Sequence, residues 1–84
     1  MTFSATDPSG GAGLQADVQT ISSLNCHPVS IATGFTVQDT NGVEKLIAVD
    51  SELVNDQARL ILKDMHISIF KLGVLGSKDN IIAI

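Results

Sequence analysis

Between Val29 and Val37 the chain reads VSIATGFTV, a run without a single charge and rich in β-branched side chains. Such a run has no solvated face, so it predicts a buried strand, the kind found in parallel sheets that helices cover on both sides. The flanking sequence agrees. Upstream, Leu14, Val18, Ile21 and Leu24 form the stripe of an amphipathic helix beginning at Ala12. Pro28 closes that helix, because the residue before a proline disfavours helical geometry. Downstream, Gln38 to Gly42 is a polar loop and Val43 to Val49 a short extended segment. Asp50 or Ser51 can cap a second helix, with Glu52 in the first turn where the dipole favours it. Val54, Ala58, Ile61 and Met65 share one face of that helix. Met1–Ala5 predicts a short opening strand and Ser68–Leu75 a later one, and Ser77-Lys78-Asp79 has the chemistry of a cap and first turn for a third helix. Strands alternating with helices argue for an α/β fold: an open, mostly parallel sheet flanked by helices, within one small unit covering residues 1–84.

Size sets a difficulty for this fold. A chain of this length buries only about 60% of the surface that its unfolded form exposes, yet 44% of its 84 residues are hydrophobic. Ile81, Ile82 and Ile84 need cover, and three parallel strands leave two open edges. The expectation is an incomplete sheet, or one completed by a homo-oligomer or another partner surface. The net charge is −4 and the few basic residues form no patch, which argues against nucleic acid as a partner. One cysteine, Cys26, fits a reducing compartment, and no apolar run reaches the length of a membrane helix. The expected location is cytoplasmic, with no membrane partner.

The stretch most suggestive of chemistry is ATDPSGGAGLQAD, Ala5 to Asp17. Gly11-Ala12-Gly13-Leu14-Gln15-Ala16 fits the dinucleotide fingerprint G-x-G-x-x-G/A, but Asp7-Pro8-Ser9-Gly10 separates it from the preceding strand. A Walker A loop is excluded, since no Gly-Lys-Ser/Thr follows. Alternatively the glycines only let the helix approach the sheet, a reading that suits Gly13 and leaves Asp7 unexplained. A carboxylate beside an apolar strand end wants donors, and the backbone of the glycine turn can provide them. Gln38 ends the charge-free run at the carboxyl edge, where parallel α/β sheets place their ligands. Its amide can donate and accept at once, which suits a heteroaromatic ring bearing an amino group; ordinary loop hydrogen bonding is the equal alternative. Asp17 lies off the apolar stripe and reads, on the bare residues, as a solvated helix position. His27 and His66 have no partners at ligand spacing, so no metal site is expected, and Cys26 has no neighbouring cation to make it a nucleophile.

Three stretches carry a resemblance: TDPSGGAGLQAD, SIATGFTVQDTNGV and KLGVLGS, in that order. They closely resemble the start of the hydroxymethylpyrimidine/phosphomethylpyrimidine kinases of thiamine biosynthesis, in the ribokinase-like superfamily with its Rossmann-like three-layer architecture. The resemblance spans essentially the whole chain and implies its N-terminal, substrate-side portion. It implies that Gln38 hydrogen-bonds an aminopyrimidine, that Ala12, Asp17, Ala5 and Val74 fall at pocket positions, and that Asp7 and Gly11 of the adjoining turn join them in binding substrate. A glycine is usual at Ala5, a methionine at Val74 and an asparagine at Asp39. Lys71, the only lysine in the three stretches, is expected to make a structural ion pair. ATP and Mg²⁺ are implied for the full-length enzymes, whose nucleotide site and catalytic base lie further along. This stretch alone is therefore expected to lack kinase activity and to bind neither cofactor. A non-catalytic assembly module and a dinucleotide-binding domain are the alternatives.

Overall fold

The opening strand occupies the middle of the sheet. The computed structural model describes residues 1–84 and contains β1 (Thr2–Ala5), α1 (Gly13–Ser23), β2 (Ser30–Gln38), β3 (Val43–Ala48), α2 (Ser51–Asp64), β4 (Lys71–Leu72) and α3 (Lys78–Ala83). The strand order is β3-β2-β1-β4. β1 runs parallel to both neighbours, whereas β2 and β3 pair antiparallel, so the sheet is mixed. The antiparallel pair follows from the length of its connection. Only Asp39 to Gly42 joins the two strands, far too short for a crossover. The Asp39 carboxylate closes this loop by accepting from Asn41 N at 2.8 Å and Gly42 N at 3.2 Å. Those two backbone donors hold its pKa below the ordinary value.

Strand alternation assigns the two faces of the sheet. Thr2 is hydrogen-bonded to Asp17 of α1, while Phe3 packs with Val54 and Ala58 of α2. α1 therefore covers one face and α2 the other, with α3 packed beside α2. The core lies on the α2 side, where Met1, Phe3, Val29, Ile31, Val54 and Ala58 are buried together. Ile61 and Met65 pack against that cluster, so the predicted apolar face of α2 is the one that docks. Asp50 caps α2 by accepting from Glu52 N at 3.2 Å.

α3 is short and is anchored by one buried side chain. Asn80 is fully buried, and its Nδ2 donates toward Leu75 O at 2.8 Å, Val49 O at 3.1 Å and Thr33 O at 3.2 Å. Ser77 caps this helix by accepting from Asn80 N at 3.2 Å.

Two strands differ from expectation. β2 is buried only in its first half, and Phe35 and Val37 are more than half exposed. The last β1 pairing is Ala5 with Gly34, so beyond that point β2 has β3 as its only neighbour. The expected strand Ser68–Leu75 forms a regular ladder only at Lys71–Leu72. Backbone bonds to β1 nonetheless continue, with Gly73 N donating to Phe3 O at 2.8 Å and Ala5 N to Val74 O at 3.0 Å. The outer edge of β4 pairs with no other strand, leaving Ile69, Phe70, Leu72 and Val74 exposed.

Candidate functional site

The glycine turn holds an anion that the chain itself provides. Asp7 is buried just beyond β1, and both of its carboxylate oxygens are occupied. Oδ1 accepts from Ser9 Oγ at 2.7 Å and Ser9 N at 2.9 Å, and Oδ2 accepts from Ala12 N at 2.9 Å. The Ser9 hydroxyl, followed by the turn's backbone N–H groups, outweighs burial and lowers the Asp7 pKa. Ala12 is the N-cap of α1 and has no capping side chain of its own, so Asp7 satisfies its N–H instead. Gln15 reaches back from the first turn of α1 to accept from Asp7 N at 2.9 Å. The carboxylate thus obtains the backbone donors that the sequence led one to expect.

The glycines of the turn are not equivalent. Gly13 has φ +65°, and a Cβ there would stand 2.5 Å from Ala5 O. Only glycine brings the start of α1 this close to the end of β1. Gly11 is different, because a Cβ there would make ordinary contacts at 3.7 Å and 3.8 Å. The close-approach reading of Gly13 therefore holds, and no steric demand falls on Gly11.

Ala5 ends β1 at the carboxyl edge, facing Gly34 of β2 in register and bonded through its N–H to Val74 O. Val74 O also accepts from Thr33 Oγ1 at 2.6 Å, and the Val74 side chain is exposed. Gln38 ends β2 half-buried, beside a recess of about 510 Å³ shared with Val37, Asp39, Asn41 and Gly42. Thr36 Oγ1 lies 2.8 Å from Thr6 O and 2.7 Å from Gln38 Oε1. Gln38 is thereby tied to the residue between Ala5 and Asp7. Ala5, Asp7, Ala12, Val74 and Gln38 accordingly gather around the carboxyl end of β1, with Gly11 exposed in the turn.

Asp17 stands apart from this group. It accepts from Thr2 Oγ1 at 2.6 Å and pairs with Lys71 Nζ at 2.9 Å. Thr2 lies three positions before Ala5, about 10 Å along an extended strand. Burial pushes the Asp17 carboxyl up, but the Thr2 hydroxyl and the Lys71 ammonium outweigh it and lower the pKa. Its side chain is only 14% exposed, which corrects the reading as a solvated helix position. The ion pair expected of Lys71 is present. Asp17 and Lys71 line a recess of about 670 Å³ at the opposite end of the sheet, among Ile21, Val29, Met65 and Ile69.

The sequence reading did not single out Thr36 or Thr6. Thr36 was discoverable, because positions two apart on a strand share a face and it precedes Gln38 by two. No three His, Cys, Asp or Glu side chains come together as a metal site. Lys71, the one cation in the three motifs, is committed to Asp17. The residues present do not suit a nucleotide phosphate with its metal ion, so no chemical step is assigned through either group. No helix is long and apolar enough to cross a membrane.

Comparison with known proteins gives this geometry a context. Over all 84 residues the chain is 36% identical to the hydroxymethylpyrimidine/phosphomethylpyrimidine kinase of Escherichia coli, and it spans 32% of that protein. The crystal structure of phosphomethylpyrimidine kinase from Clostridium difficile superposes with a TM-score of 0.91 at 30% identity, covering 98% of this chain and 36% of that one. A pyridoxal kinase from Bacillus subtilis, solved as an ADP complex, gives 0.86 at 27% identity, covering 96% and 32%. The chain therefore corresponds to about a third of the relatives it matches, and its fold is that of the ribokinase-like kinases. Residues 7–84 match the family model for phosphomethylpyrimidine kinase, and the chain belongs to that family.

Proposed function

We propose that these residues form the pyrimidine-holding part of a kinase that phosphorylates 4-amino-5-hydroxymethyl-2-methylpyrimidine and its monophosphate in thiamine biosynthesis. The observation that carries this reading is the half-buried Gln38 amide at the carboxyl end of β2, held by Thr36 beside the Asp7 turn. A primary amide fixed at that edge suits a ring that carries both an amino group and ring nitrogens. In this reading Ala5 and Val74 bound the ring, and Ala12 and Gly11 belong to the turn that Asp7 shapes. Asp17 supports the sheet from its other end through Thr2 and Lys71. ATP and Mg²⁺ act in the whole kinase, with phosphate-binding groups outside these residues, and the reaction takes place in the cytoplasm. The exposed set Ile69, Phe70, Leu72, Ile81 and Ile82 is the surface on which the remainder of such an enzyme or a second copy would pack.

The Asp7 turn speaks against the dinucleotide alternative. A pyrophosphate at the glycine turn would meet a carboxylate that already holds Ser9 N and Ala12 N. Calorimetric titration of the chain with hydroxymethylpyrimidine, beside Gln38→Ala, tests the proposal. Saturable heat that disappears in the variant is the expected result. Binding that survives in Gln38→Ala, or pyridoxal bound in preference to the pyrimidine, would overturn it.

A further inference from the structure

Thr36 Oγ1 makes two short contacts, and one proton has to serve both. It lies 2.8 Å from Thr6 O and 2.7 Å from the nearer terminal atom of the Gln38 amide, Oε1. A hydroxyl has one proton to donate and can otherwise only accept. Thr6 O is an acceptor alone, and no other donor reaches it. If the Thr36 proton points at Thr6 O, an amide oxygen on the other side leaves two acceptors face to face. If it points at the amide oxygen, Thr6 O is left without a protein donor. Both contacts become hydrogen bonds in only one arrangement. Thr36 donates to Thr6 O and accepts from the Gln38 NH₂ group, which a half-turn of the near-symmetric amide brings into place.

We infer that Thr36, anchored on Thr6 O, is a positioning residue that fixes the Gln38 amide with Nε2 toward Thr36 and Oε1 toward the open carboxyl edge. The inference rests on the reading of Gln38 as the pyrimidine-binding residue. It deepens that reading by stating which way the amide faces and what holds it there. The fixed amide then presents Oε1 as an acceptor to the amino group, and the second Nε2 proton remains for an adjacent ring nitrogen. The amide selects a heteroaromatic ring with an exocyclic amino group over the same ring with an oxo group, whose oxygen would meet Oε1 without a proton between them. Thr36 touches no ligand in this account. It acts through the amide, and its effect is on selectivity.

Two measurements on the chain separate the orientation from the function. The first is NMR of the ligand-free protein with ¹⁵N-labelled glutamine side chains, comparing wild type, Thr36→Val and Thr36→Ser. Cross-peaks from the Gln38 NH₂ protons to the Thr36 side chain, kept in Thr36→Ser and lost in Thr36→Val, are expected. A freely exchanging NH₂ group with no contact to Thr36 in the wild type would overturn the inference. The second is the affinity ratio between 4-amino-5-hydroxymethyl-2-methylpyrimidine and its 4-oxo counterpart. Thr36→Val should lower that ratio by about tenfold while Thr36→Ser retains it, because the amide is then free to turn. An unchanged ratio in Thr36→Val would also overturn the inference. Should neither pyrimidine bind while the cross-peaks are present, the proposed function fails and the fixed amide stands. Should Thr36→Val fail to fold, the wild-type and Thr36→Ser spectra decide the question.

Discussion

Replacing glycines of the turn one at a time by alanine separates backbone strain from steric contact. Gly11→Ala places its methyl at ordinary distances from Ser9 Oγ and Asp7 Oδ2, in a backbone conformation open to any residue. Its expected effect is within about 0.5 kcal/mol of zero. Gly10→Ala meets nothing within 4 Å, but the residue has φ +76°. The left-handed conformation alone should cost about 1 kcal/mol. Gly13→Ala combines the two effects, because φ is +65° and the new Cβ would stand 2.5 Å from Ala5 O and 3.1 Å from Asp7 N. Both neighbours are backbone, so α1 or the end of β1 must move. Overpacking of this kind costs about 1–3 kcal/mol, and with the conformational cost the total is about 3 kcal/mol. That is a large loss for a chain this size, whose whole stability is about 4–13 kcal/mol at the usual range per residue. Urea unfolding followed by far-UV circular dichroism measures all three, and with a slope near about 1 kcal/mol per molar the Gly13→Ala midpoint should fall by roughly 3 M. A Gly13→Ala midpoint equal to that of Gly11→Ala would refute the close approach of α1 to Ala5.

Two further outcomes follow from groups that hold the ends of the sheet. Asp7 and Asp17 both have pKa values below the ordinary 3.8. Their stabilisation is therefore complete above that value and is lost as the pH falls through the depressed ones. Urea midpoints measured from about pH 6 down to about pH 2 should stay level and then decline, and Asp7→Asn should flatten the decline; an unaltered slope in the variant would refute the role of the carboxylate. Asn80→Leu keeps the volume but leaves the carbonyls of Thr33, Val49 and Leu75 without their donor, while removing a buried Oδ1 that has no partner of its own. The net loss should be about 2 kcal/mol in the same assay, and no loss would mean that α3 is held by its apolar contacts alone.

Local chemistry in the sequence reported the elements well wherever one residue type had a single job. Asp50 at the cap, the stripe through Val54 and Ala58, and the turn at Asp39–Gly42 all lie where hydrogen bonding and burial put them. Periodicity could not show which neighbours a strand would have. β4 keeps a regular ladder only at Lys71–Leu72 on the edge beside β1, and the second half of β2 is exposed because β1 stops at Ala5. The glycines illustrate the same limit at the site. Their spacing matched a phosphate-binding fingerprint, yet the charge they hold is Asp7, and the demand for glycine falls on Gly13 and not on Gly11. Asp17 was misread from its helix face because its partners, Thr2 and Lys71, come from two different strands. Thr36 carried no signal in its residue type; its place two before Gln38 on one strand face was the only clue, and its contacts with Thr6 and Gln38 give that place its meaning.

The central place of β1 makes its docking wait for Lys71 and Leu72, far away in the sequence. Thr2 pairs with Ser30 on one side and Lys71 on the other, so β1 has both its neighbours only after two contacts distant in sequence have closed. Closing two long loops before either pairing is rewarded makes docking of Met1–Ala5 the slow event. Until Lys71 emerges, one edge of that strand remains open to whatever backbone it meets, including the same segment of another nascent copy. The short run of residues that organises the mature sheet is thus also the one most in need of shielding during synthesis.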